Sequence, residues 1–119
     1  MGKGRFGNVF IGQHIQTKSI YAIKQIALEK ICPKLIERLV WELKIQFFIK
    51  HENCLELYKF YKENNSIYLV LELGERSLFD LLREKQYLNE REVAYYIRQT
   101  IKAFQYLHSH NIIHRDLKP

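Results

Sequence analysis

The sequence has no apolar run approaching the ~18 residues of a membrane span, so no ordinary transmembrane helix is expected. No apolar stretch follows Met1, where Gly2-Lys3-Gly4-Arg5 stands, so no secretory signal is expected either. Cysteine is scarce. Cys32 and Cys54 match no metal or redox spacing and read as isolated thiols of a reducing compartment. An intracellular protein of cytoplasm or nucleus is therefore expected, with no membrane partner. Internal repeats and low-complexity segments are also lacking. The net charge is +6, yet no block of five basic residues occurs, and acids interrupt the lysines and arginines from Lys3 to Lys118. That scatter argues against a nucleic-acid partner. The same surplus would suit a cleft for a phosphorylated ligand.

What remains is an ordinary globular composition. The 119 residues are 47% hydrophobic and 27% charged, enough for a core and about right for one domain at most.

Glycines 2, 4 and 7 crowd the amino terminus. Residues 8–14 then read as a strand, with Val9 and Ile11 alternating against Asn8 and Gly12. A polar turn at 16–19 leads to a second strand over 20–28, giving an antiparallel hairpin. Pro33 suits the first turn of a helix, where its missing N–H is harmless. The helix over 34–50 carries an apolar stripe at Leu35, Leu39, Ile45 and Ile49. Strands are expected over 55–61 and 67–73, joined by a turn at 63–66. Gly74 interrupts the pattern, and the remainder reads as helical. Ser77 with Asp80 marks one helix start, and Asn89 with Glu92 marks another of capping-box type. The last helix, over 90–110, carries Val93, Ile97, Ile101, Phe104 and Leu107 on the face to be buried, although in these 119 residues alone Ile97, Ile101, Phe104 and Leu107 are expected to leave much of their apolar surface in water. The fold class is therefore α+β, a strand-rich portion over 1–73 followed by a helical one over 74–119. A cleft between two such lobes is a usual ligand site.

Three patterns carry chemistry. Gly2-Lys3-Gly4-Arg5-Phe6-Gly7-Asn8-Val9 fits G-x-G-x-x-G-x-V, in which glycines let backbone N–H groups approach a phosphate. A strand follows it rather than a helix, which speaks against a dinucleotide-binding fold. Lys24 shares its strand face with Ile20, Ala22, Ile26 and Leu28. A charge in an apolar row needs a partner, although a single lysine can also snorkel to water. Glu42 falls on the stripe of the 34–50 helix and is expected to face inward and pair with Lys24, the alternative being a solvated glutamate. Last comes His114-Arg115-Asp116-Leu117-Lys118-Pro119, which matches the opening of H-R-D-L-x-x-x-N.

Taken in order, these patterns resemble the eukaryotic protein kinase family along the whole chain. Lys118 after Asp116 resembles serine/threonine kinases, and Arg115 resembles members switched on by activation-loop phosphorylation. Gly2 to Phe10 and Glu42-Leu43-Lys44-Ile45-Gln46 are most similar to Aurora kinases. Leu69-Val70-Leu71-Glu72-Leu73 and the stretch from Arg98-Gln99 to Tyr106-Leu107-His108 resemble Polo-like kinases as much, though Gly7 favours Aurora.

The resemblance implies a sheet-based small lobe with one main helix over 1–73, its first strand incomplete, and the start of a helical large lobe over 74–119, cut off within the catalytic loop. It implies ATP and Mg2+ and a protein serine/threonine substrate, and leaves an activating partner open. An Aurora-like member would act at spindle or centrosome. Gly2, Lys3, Gly4 and Gly7 would cover the phosphates, and Val9 and Ala22 the adenine. Leu71 would be the gatekeeper. Glu72 and Gly74 would offer hinge hydrogen bonds, although Leu73-Gly74-Glu75-Arg76-Ser77 is shorter than the usual hinge. Lys24 and Glu42 would form the phosphate-orienting pair, which separates in members whose helix has swung outward. Asp116 would hold the substrate hydroxyl and Lys118 the γ-phosphate. The pattern's Asn would fall at position 121 and the Mg2+ ligands further on. The 119 residues alone are thus expected to be inactive, the alternative being an inert piece acting, if at all, as a binding module.

Overall fold

The computed structural model describes residues 3–4 and 7–118, with side chains from residue 7 onward except that of residue 30. Two compact units result. The first comprises residues 1–50 and 55–73, the second residues 51–54 and 74–119.

The first unit is a five-stranded antiparallel sheet of order β1-β2-β3-β5-β4, where β1 is Lys3–Gly4, β2 Gly7–Gln13, β3 Ile20–Ala27, β4 Leu57–Glu63 and β5 Ser66–Leu71. Each junction follows from local chemistry. In the β2–β3 turn His14 accepts the Thr17 N–H through Nδ1 at 3.2 Å, and Lys18 takes a positive φ of 61°. The β4–β5 turn is the pair Asn64-Asn65, with φ 43° and 55°, where asparagine tolerates the left-handed region that a two-residue hairpin needs. A 3-10 turn over Leu28–Lys30 follows β3, and Pro33 opens α1, Pro33–Phe48.

The core joins one face of this sheet to α1. Ile26, Leu28, Leu57, Ile67, Leu69 and Leu71 pack with Leu43, and Leu57 is completely buried. At about 1.5–3 kcal/mol per buried aliphatic side chain, this cluster is the main support of the unit. The expected helix stripe is corrected here. Leu35 and Ile45 are 51% and 42% exposed, while Ile36 and Leu39 pack against the cluster around Leu43. The inward face thus runs through residues 36, 39, 40 and 43. Because the helix carries apolar residues on two faces, periodicity alone did not choose between them.

The second unit contains α2, Leu78–Lys85, and α3, Glu90–Ser109. Ser77 caps α2 by accepting the Asp80 N–H at 3.1 Å. Asn89 and Glu92 form the expected capping box, each side chain accepting the other's backbone N–H at 3.0 Å. On α3 the expected exposure of Ile97 and Ile101 is seen, and that of Leu107 is not. Val93, Ile97 and Ile101 are each more than 40% exposed, whereas Ala103 and Leu107 are buried and Tyr96 and Thr100 half-buried. The helix ends in a Schellman motif: Asn111 takes φ 58° and donates to the His108 carbonyl, and Ile112 donates to the Leu107 carbonyl at 2.9 Å. This reversal directs the chain into residues 112–118. No helix of the described residues is long and apolar enough to cross a membrane.

Candidate functional site

The sheet register brings together four of the residues singled out by sequence. Val9 lies opposite Lys24, which lies opposite Leu69; Ile11 lies opposite Ala22, which lies opposite Leu71. Residues directly opposed in an antiparallel pair share a face. Val9, Ala22, Lys24 and Leu71 therefore line one face, the one that Ala22 and Leu71 share with the core.

Lys24 is half-buried in this apolar row. Among the described residues no ion pair joins it to Glu42 or to any other carboxylate. Glu42 is exposed, next to the buried Leu43. The expected pair is thus absent from this structure, because the inward stripe of α1 is centred on residue 43 rather than 42. A half-buried ammonium without a carboxylate is poorly compensated, and an anionic ligand would supply what is missing.

The glycine-rich hairpin closes with Lys3 opposite Asn8 and Gly4 opposite Gly7. Gly2 lies outside the described residues, as does the side chain of Lys3. Gly7 has a structural reason of its own: a Cβ there would sit 1.8 Å from the Gln25 carbonyl oxygen of β3. Its lack of a side chain lets β2 and β3 pair.

At the end of β5, the Glu72 N–H donates to the Glu56 carbonyl at 2.9 Å, and the Glu72 carboxylate accepts the Glu56 N–H at 3.3 Å. The Glu72 N–H is therefore already engaged within the first unit. Gly74, in the second unit, has no atom within 4 Å of the place a Cβ would take. An apolar pocket of about 320 Å³ does occur in the first unit, but elsewhere, lined by Ile36, Val40 and Leu43 of α1 with Leu28, Phe60 and Ile67. Sequence reasoning missed it because it had assigned α1 a different inward stripe.

In the second unit, the His114–Lys118 loop is shaped by its own side chains. His114 Nδ1 accepts the Asp116 N–H at 3.2 Å, and its ring meets Phe104 edge-on at 5.9 Å. Arg115 takes a φ of 60°, a backbone state that costs non-glycine residues free energy and recurs at functional sites. Lys118 Nζ lies 3.1 Å from Asp116 Oδ2, both side chains being more than 70% exposed. The loop thus presents a carboxylate and an ammonium together, a pair suited to a hydroxyl and a phosphate.

Perturbed ionisation occurs away from these residues. The Lys85 bond holds the Glu92 carboxyl below its ordinary value, helped by the Asn89 N–H. The same bond raises Lys85. Burial raises the Cys54 thiol. Among the described residues no group of three or more histidines, cysteines and acids is placed to hold a metal ion.

The protein kinase domain model matches residues 1–119. A probable serine/threonine-protein kinase PLK of Dictyostelium discoideum is 37% identical over 99% of the chain, which covers 12% of that protein. An Aurora kinase of Schizosaccharomyces pombe is 36% identical over the whole chain, 34% of that protein. A probable myosin light chain kinase of D. discoideum is 37% identical, again over the whole chain and 31% of that protein. The chain belongs to the protein kinase family. It is similar to Polo-like and Aurora kinases to nearly the same degree, and it spans about a third or less of the length of these relatives. At family level ATP and Mg2+ are used. The described residues supply no metal-binding set.

Proposed function

We propose that this chain carries the nucleotide-binding portion and the opening of the catalytic loop of a serine/threonine protein kinase. Residues 1–73 would form the small lobe and residues 74–119 the start of the large one. The observation that carries this reading is the sheet face on which Val9, Ala22 and Leu71 surround a half-buried Lys24 with no carboxylate partner. An adenine ring fits the apolar part of that face, and a phosphate answers the ammonium. Gly2, Lys3, Gly4 and Gly7 would place backbone N–H groups over the phosphates. The Glu72 carbonyl and Gly74 would read the adenine edge. Glu42 would engage Lys24 after a movement of α1 that turns it inward, and would then hold the ammonium on the phosphates.

In the transfer itself, the oxygen of a serine or threonine hydroxyl bonds to the γ-phosphorus of ATP. The bond to the β–γ bridging oxygen breaks, and ADP leaves with that electron pair. Asp116 orients the hydroxyl and accepts its proton. Lys118, which pairs with Asp116 in this structure, would turn to the γ-phosphate and balance its charge. The name of the D. discoideum Polo-like relative supports the choice of serine and threonine. An intracellular site of action belongs to the same reading, which leaves an activating partner open. The test is transfer of labelled γ-phosphate from ATP to a generic protein substrate. The 119 residues alone are expected to give no transfer; in the full-length kinase phosphoserine or phosphothreonine is expected, and loss of the signal in Asp116→Asn. Transfer unaffected by that substitution would overturn the assignment of Asp116.

A further inference from the structure

Residues 51–54 link α1 to β4 in sequence, yet they belong to the compact unit that contains α3. Three contacts hold them there. Asn53 Nδ2 donates to Gln99 Oε1 at 3.0 Å, Lys102 Nζ lies 3.7 Å from Glu52 Oε1, and the His51 ring lies on the Tyr106 ring with centroids 4.8 Å apart. Gln99, Lys102 and Tyr106 follow at three and four residues along one face of α3.

Within the turn the Cys54 N–H donates to the His51 carbonyl at 2.9 Å, and a second bond involves the His51 ring. The Asn53 N–H donates to His51 Nδ1 at 3.1 Å in a part-buried position. Asn53 Oδ1 is buried and accepts no hydrogen bond among the described residues, so this asparagine is fixed through its donors. An imidazole nitrogen accepts only while it carries no proton. The bond therefore requires neutral His51, with its hydrogen on Nε2.

We infer that His51 is a proton-sensitive staple: in its neutral form it fastens residues 51–54 onto α3, and its protonation releases them. Protonation sets an N–H of the ring against the N–H of Asn53, and the latter loses its acceptor in a part-buried position. The imidazolium would gain attraction to the Tyr106 ring, but that gain offers Asn53 nothing. His110 meets the same Tyr106 ring at 4.5 Å, tilted by 44°, and behaves differently. Its Nδ1 lies 2.9 Å from the Tyr106 carbonyl oxygen, which can only accept, so Nδ1 already carries a hydrogen. A second proton on His110 leaves that bond intact. The other charged groups about His51 are Glu52 and Lys102, which pair with each other, and the preceding Lys50, which pairs with Glu56.

The experiment is hydrogen exchange at the Asn53 amide, expressed as protection against the intrinsic rate, between about pH 7.5 and about pH 5.5, where histidine ordinarily changes charge. In wild type, protection should fall by about tenfold or more, the scale set by an amide left without its acceptor. In His51→Asn it should stay level, because an asparagine oxygen accepts the N–H two residues on and cannot be protonated in this range. His110→Gln should keep the wild-type fall. Level protection in wild type, or an equal fall in His51→Asn, would overturn the inference. Should His51→Asn not fold, the ¹⁵N shifts of the wild-type His51 ring decide. They should show bare Nδ1 and protonated Nε2 at neutral pH, and the opposite tautomer would overturn it.

Discussion

Gly7 offers a sharp test of how the glycine-rich hairpin is built. Its ideal Cβ position lies 1.8 Å from the Gln25 carbonyl oxygen and 2.9 Å from that carbonyl carbon. Both are backbone atoms of β3, which no side-chain rotation can move aside. Gly7→Ala must therefore push β2 away from β3 near the Asn8–Gln25 pair. Overpacking of this kind costs about 1–3 kcal/mol. Gly74→Ala is the matched control: nothing lies within 4 Å of its Cβ position, and Gly74 does not adopt a positive φ. It should stay within about 0.5 kcal/mol of wild type. Urea denaturation midpoints of the two variants, with slopes checked for equality, provide the assay. If Gly7→Ala proves as stable as Gly74→Ala, the close approach of β2 to β3 does not explain this glycine, and phosphate binding would be its only remaining reason.

Three further outcomes are expected. Leu57→Ala removes the one large side chain that is completely buried among the described residues and should destabilise the protein by about 2–5 kcal/mol in the same assay. Asn89→Ala deletes the cap of α3 and should cost about 1 kcal/mol, while Asn89→Asp, which keeps an acceptor, should be nearly neutral. The Lys85–Glu92 pair gives a pH dependence at both ends. Because the Glu92 carboxyl is held low in the folded state, its contribution is present above the ordinary glutamate range and is lost as pH falls through the folded value; that of Lys85, held high, is lost only at strongly alkaline pH. Comparing acid unfolding of wild type with Lys85→Met should show a smaller loss at low pH in the variant.

Much of the architecture was legible because its signals are local. The polar turns, Pro33 at the start of α1, the Asn89–Glu92 capping box and the alternation that sets Ala22 beside Lys24 each depend on a few neighbouring residues. What was not legible depended on which of two apolar faces a helix buries. In α1 the stripe through Leu35 and Ile45 competed with the one through Ile36, Val40 and Leu43, and the sheet selected the second. In α3 small Ala103 and half-polar Tyr96 and Thr100 were chosen over Val93, Ile97 and Ile101. The first difference explains why Glu42 does not meet Lys24. The Schellman end of α3 went unread because Asn111 stands where glycine is the usual signal. The attachment of residues 51–54 to α3 joins segments far apart in sequence, and no local pattern announces it.

The central claim is that the face bearing Val9, Ala22, Lys24 and Leu71 binds ATP with its phosphates at Lys24. An acyl-phosphate derivative of ATP, which acylates an amine lying beside the bound phosphates, tests this directly when the modified lysine is mapped by mass spectrometry. Labelling should concentrate on Lys24, and excess ATP should suppress it, while exposed lysines such as Lys18 and Lys59 stay at background. Labelling spread evenly over the surface lysines and indifferent to ATP would contradict the assignment.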